Sequence, residues 1–207
     1  MMAKVTVFCF LASYTVAFAL ELYRLLRRSS ISRYVMLLFG AAGFVAHTVF
    51  LWVRSDTTGY PPLLSSARDW VLVLAWVAIL LYLFLTVLDR ELALGLFILP
   101  LVLILIASAR FFSDQTNSKL SDQVHNWAML HASSLVFGIA SVIVGFVLSM
   151  MYLVQHRRLK HKLTLKDGLA LPNLARLARW NWWAVMVSVP LLAIGLLTGI
   201  RLGFLSK

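Results

Sequence analysis

From residue 127 to residue 154 the chain contains no aspartate, glutamate, lysine or arginine, and most side chains are apolar. A helix that is apolar all round belongs to a membrane or to a large core, and a bilayer demands ~20 such residues per helix. Five further blocks approach or reach that length: 5–23, 34–53, 70–88, 92–109 and 182–200. In hydrocarbon every backbone N–H and C=O must find a partner within the protein, so blocks this long are helical. A barrel would need apolar and polar residues alternating over ~10-residue strands, and these blocks do not alternate. Composition agrees, at 61% hydrophobic and 13% charged, where soluble domains run near a half and a quarter. The expected fold class is all-α: a polytopic membrane protein of six transmembrane helices, in one domain over residues 1–207.

The net charge of +11 would point to nucleic acid in a soluble protein. Topology accounts for it without nucleic acid. If the spans alternate, 12 of the 19 lysines and arginines fall on one side, and Lys4, Arg54, Arg68, Arg110, Lys119, Arg201 and Lys207 fall on the other. The positive-inside rule makes the richer side cytoplasmic and puts both termini outside. The expected location is the bacterial inner (plasma) membrane. The first span is expected to be retained, since little charge precedes it and a basic cluster follows it. Cys9 is the sole cysteine, so the chain forms no internal disulfide and no dithiol pair. Its five histidines show no zinc-ligand spacing with Cys9.

Between the spans, Gly59, Pro61 and Pro62 predict a turn in an outer loop over 54–69, and 110–126 forms a second, polar outer loop. The long inner connection is interrupted at Gly168 and Pro172. After it, Leu174 and Leu177 oppose Arg176 and Arg179, which suits a short helix lying among lipid headgroups before the last span. Trp52, Trp70, Trp127, Trp180, Trp182 and Trp183 sit at span ends, as an interfacial belt requires.

Two histidines stand apart. His125, His156 and His161 lie in polar surroundings, whereas His47 and His131 fall inside apolar spans, where a polar ionisable side chain is costly and turns toward the bundle. From His131, small residues recur at Ser134, Gly138, Ser141 and Gly145, and Gly40 and Gly43 share a face with His47. Such faces let helices approach closely. His47 lies ~9 Å from the outer end of its span and His131 ~6 Å from the end of its own, at the helical rise. Two inward imidazoles at one depth could ligate one haem iron axially. Each could equally bond a serine or a carbonyl within the bundle. Arg54, Arg68, Arg110 and Lys119 are outer cations that could meet haem propionates.

The stretch "NWAMLHASSLVFGIASVIVGFVLSMMYLV" resembles a segment of the CcsA/ResC-like cytochrome c assembly family, in which Asn-Trp precedes a histidine and a small-residue helix. "GYPPLLSSARDWVLVLAW" is similar to that family's outer-loop Pro-Leu-Ser run, with Asp69 as its acid and Trp76 as its tryptophan. "LPNLARLARWNWWAVMVSVPLLAIGLLTG" resembles the HemX-like branch. The resemblance covers roughly residues 34–200. It implies a haem-handling membrane protein that binds haem b near the outer face and positions it for attachment to apocytochrome c. His131 matches the family's outer-side haem ligand, and His47 matches a histidine of the HemX-like branch. Both are expected as cofactor-binding and metal-ligating residues, with no catalytic side chain: a haem chaperone or synthase subunit. The family's outer Trp-rich motif does not occur in these residues, so a second membrane subunit carrying it is an expected partner, beside lipid and apocytochrome c. A HemX-like regulatory or scaffold role in haem biosynthesis is the alternative. A small transporter is a third reading, disfavoured because no intramembrane acid accompanies Pro100 and Pro190.

Overall fold

The computed structural model describes residues 6–26, 30–88, 95–114, 122–160 and 173–205. Among them every regular element is helical: α1 (Val7–Leu26), α2 (Ser30–Thr58), the single turn α3 (Pro62–Ser65), α4 (Ala67–Leu88), α5 (Gly95–Ser108), α6 (Asp122–Lys160) and α7 (Leu174–Leu205). A 3₁₀ turn, Ala109–Phe111, ends α5. Four helical stretches are long and apolar enough to cross a bilayer: Tyr34–Thr58, Ala67–Val87, Val124–Lys160 and Leu174–Leu205. The expected first and fourth spans are helical too, but as shorter apolar stretches, Val7–Tyr23 and Gly95–Phe111, at the low end of spanning length.

Helices run past their apolar blocks because a hydrogen-bonded ladder does not stop where hydrocarbon does. The clearest case is α7. The expected headgroup helix is not a separate element: Asn173 caps the start, its Oδ1 accepting from the Arg176 N–H at 2.8 Å, and one helix continues to Leu205 through Pro190. The turn expected in the outer loop is present, with Gly59 at φ +69°, a conformation that glycine adopts without steric cost.

α4 is the centre of the bundle. Leu72, Ala75, Ile79 and Tyr82 along it are fully or nearly fully buried, and it packs against α2, α5 and α6. α1 lies antiparallel along α2: Phe10 meets Phe50, Tyr14 meets His47, and Gly43 lets the Tyr14 ring cross, since a Cβ there would stand 2.6 Å from it. Trp76 joins α4 to α2, donating to Thr48 Oγ1 at 2.8 Å and stacking on Phe44. α6 and α7 form a second antiparallel pair, and among the described residues the α7 backbone closely approaches α6 alone.

A polar clamp closes one end. Ser66 starts α4, its Oγ accepting the Asp69 N–H at 3.1 Å. The Asp69 carboxylate, 1% exposed, accepts the Ser65 hydroxyl and the Arg54 Nε–H at 3.0 Å. Arg54 also pairs with Asp114, which takes Arg68 on its other oxygen at 3.1 Å. The end of α2, the start of α4 and the segment after α5 are thereby tied together. Asp69→Ala removes the buried anion and leaves Arg54, only 23% exposed, without its inner partner. Breaking a buried pair costs about 3–5 kcal/mol, and the partial exposure of Arg54 lowers that to about 2 kcal/mol. Tryptophan fluorescence during thermal unfolding in detergent should show the loss, and Asp69→Asn, which still accepts from Ser65, should lose less.

Candidate functional site

The α6–α7 seam is built by residues with little or no side chain. A Cβ at Gly138 would stand 2.8 Å from Leu192 Cδ2, one at Gly195 would stand 2.7 Å from Leu135 Cδ2, and one at Gly199 would stand 2.8 Å from His131 Cε1. The serine and glycine stripe of α6 is thus a helix-contact face, as the spacing predicts. Its close approach brings the His131 imidazole onto the backbone of α7, with Nδ1 2.8 Å from the Gly195 carbonyl oxygen. A carbonyl can only accept, so Nδ1 carries the proton, and in the neutral ring Nε2 presents its lone pair. Thr198 Oγ1, at 3.5 Å from Nδ1, is a distant neighbour whose hydroxyl donates to Ile194 O and Gly195 O. His131 is half-buried, and its Nε2 has no hydrogen-bond partner among the described residues. A histidine whose far nitrogen donates to a carbonyl is arranged as metal-ligating histidines are. The donor set therefore fits an axial haem ligand.

One turn before His131, Trp127 holds a cation: the Arg201 guanidinium lies over its ring, 4.4 Å from the centroid. Of the cations expected to be available for propionates, Arg54 and Arg68 are bound to Asp69 and Asp114. Arg110 is exposed, and Lys119 lies outside the described residues.

His47 sits elsewhere. It is fully buried, stacked face to face on Phe10 at 4.1 Å, with Nδ1 3.4 Å from the Tyr14 hydroxyl. Its Nε2 is buried without a partner. The backbone of its helix, α2, closely approaches α1, α3 and α4 and not α6 or α7 among the described residues. His47 packs against Phe10 and Tyr14 of α1 and His131 against Gly195 and Gly199 of α7, so the two rings have different contact partners. His125 is half-buried at the head of α6, and His156 is exposed and stacked beside Tyr152. His161 lies outside the described residues.

At the other end of the bundle, Glu21 is 4% exposed within α1. It crowds against α4 and α5, where a Cβ at Gly95 would stand 3.1 Å from both its carboxyl carbon and the Tyr82 hydroxyl. The expectation that no intramembrane acid accompanies Pro100 and Pro190 left out Glu21, which lies inside the first apolar block and packs at the start of the Pro100 helix. An apolar cavity of about 150 Å³ opens between α4, α6 and α7, lined by Leu81, Phe84, Val144, Trp180 and Trp183 among others.

The described residues thus form a helical membrane bundle with a carbonyl-bonded histidine near one end. Residues 64–201 match the family described as Cytochrome C assembly protein, a stretch that includes Asp69, His131, Gly195 and Arg201. The chain belongs to the cytochrome c assembly protein family. It is 29% identical to the cytochrome c biogenesis protein CcsA of Chlamydomonas reinhardtii over 159 residues, covering 73% of this chain and 43% of that one. The CcsA proteins of Chlorella vulgaris and Guillardia theta are 28% and 26% identical, over 52% and 58% of this chain and 35% and 41% of theirs. The chain thus spans less than half the length of the curated relatives it matches. No solved structure matches it.

Proposed function

We propose that this chain holds haem b on His131 near the outer face of the membrane and positions it for attachment to apocytochrome c. The observation that carries the reading is the His131 Nδ1–H bond to the Gly195 carbonyl, which leaves Nε2 available at a half-buried seam. Family membership supports it. Haem supplies the vinyl groups, across which cysteine S–H adds to form thioethers. The chain's own residues bind and orient: Gly195 and Gly199 fix the ring, and no side chain acts as acid or nucleophile. The proposed topology has six spans in a bacterial plasma membrane with both termini outside, the two shorter helices included. It is supported by the charge asymmetry and by the grouping of the α1 N-terminal and α7 C-terminal ends with the Arg54–Asp69 clamp. A second membrane subunit carrying a Trp-rich haem motif is the proposed partner.

The test is colour. Protein purified in mild detergent from haem-replete cells is expected to carry a Soret band. Colourless protein co-purifying with a cytoplasmic enzyme would overturn the reading in favour of a regulatory, HemX-like role in haem synthesis.

The second histidine is decided in the same preparation. His47→Leu fills similar space with an apolar group and removes the unpartnered Nε2, but it leaves the buried Tyr14 hydroxyl without its imidazole partner, a loss of about 1–3 kcal/mol. Because His47 packs on Phe10 and Tyr14 of α1 and the α2 backbone does not closely approach α6 among the described residues, haem content and spectrum are expected to match the wild type. A change of spin state in that variant would make His47 the second axial ligand, reached by a rearranged bundle.

A further inference from the structure

We infer that Arg201, held on Trp127, is the anchor for a carboxylate of the porphyrin whose metal sits on His131. The inference rests on the reading of His131 given above. Trp127 and His131 stand four residues apart on α6, one helical turn and ~6 Å along the axis, so they share a face. α7 runs antiparallel against that face: Gly195 and Gly199 meet His131, and two residues beyond Gly199 the Arg201 guanidinium covers the Trp127 ring at 4.4 Å. The cation therefore stands just beyond the imidazole at the end of the same seam.

Of the outer cations, charge balance leaves Arg110 and Arg201 without an ion pair among the described residues, and of these two Arg201 is the one on α7 beside His131. Arg54 and Arg68, at the same end of the bundle, are already neutralised by Asp69 and Asp114. Arg201 is exposed and makes no ion pair among the described residues. Its ring contact fixes the guanidinium plane through the face of the indole, which leaves the N–H edge free. That edge is the part that grips a carboxylate with two parallel hydrogen bonds. An arginine that merely reached for lipid headgroups would show no preference between a porphyrin acid and its ester.

The experiment titrates the detergent-purified full chain with hemin and with hemin dimethyl ester, whose carboxylates are masked, following the Soret band. The wild type is expected to bind the free acid about tenfold more tightly, the scale of one charge-assisted hydrogen-bonded contact. Arg201→Gln should abolish that preference while keeping the axial-ligand spectrum, and Arg201→Lys should keep part of it. An unchanged acid-over-ester preference in Arg201→Gln overturns the assignment of Arg201 alone. If the wild type binds neither porphyrin, or if His131→Ala binds both with an unaltered spectrum, the reading of His131 falls and the anchor falls with it.

Discussion

His131→Gly is expected to abolish the Soret band of the purified protein, and added imidazole is expected to restore it. The substitution deletes the ring but leaves its cradle: the Gly195 carbonyl remains on α7, and free imidazole can donate one nitrogen to it while presenting the other. Losing an outer-shell partner of a ligating histidine costs ~10–100-fold in metal affinity, and losing the ligand itself should cost at least that. Rescue separates ligation from folding, because a bundle that had collapsed would offer free imidazole no site. The seam should survive, since the close contacts at Gly138 with Leu192 and at Gly195 with Leu135 do not involve the ring. In cells depending on this chain, holo-cytochrome c should fall with the Soret band. Failure of imidazole to restore the band, with α7 still packed by cysteine cross-linking between positions 145 and 184, would remove His131 as the ligand.

Most of the bundle was legible because lipid imposes one rule on long apolar blocks, and all six blocks are helical where described. What composition could not supply was their limits. α6 reaches from Asp122 to Lys160 and α7 starts at Leu174, well outside the hydrocarbon-length blocks, because polar residues continue a helix into water without penalty. The seam was legible in the steps from His131 through Ser134, Gly138, Ser141 and Gly145. Its partner face on α7 carried a signal too, since Gly195 and Gly199 stand at GxxxG spacing, but that spacing marks a helix-contact face without saying which helix it meets. Arg201 was visible only as one cation among several; its contact with Trp127 depends on the register of two helices joined by a long connection. His47 shows the limit from the other side. Helical spacing gives the face a side chain occupies and its distance along the span, but not which neighbour it meets, and the two histidines expected at one depth pack against different helices. Asp69 came to notice through a family likeness, and its role as the buried centre of the Arg54 clamp appears only when the end of α2 is beside the start of α4.

Gly199→Val should strip haem nearly as thoroughly as loss of the histidine, without touching any ligand atom. A Cβ at this position already comes within 2.8 Å of His131 Cε1 and 3.1 Å of Nδ1, closer than carbon contacts tolerate. The two further methyl groups of valine must push the ring off the Gly195 carbonyl or push α7 away from α6. Either movement breaks the 2.8 Å bond that sets the tautomer, so Nε2 loses its fixed direction, and haem affinity should drop by the ~10–100-fold typical of a lost orienting partner. Two controls divide the possible causes. Gly203→Val lies one turn further along α7, where an added Cβ meets nothing within 4 Å, and it should leave the Soret band unchanged. Gly138→Ala crowds Leu192 in the same seam at 2.8 Å and should cost about 1–3 kcal/mol of stability as an overpacked contact, yet keep the haem spectrum, since Leu192 rather than His131 gives way. If Gly138→Ala and Gly199→Val lose haem in parallel with their loss of thermal stability, the seam matters only as a fold. If Gly199→Val alone loses it, the glycine is there to let one imidazole lie against a carbonyl, and that contact is what makes this helix pair a haem site.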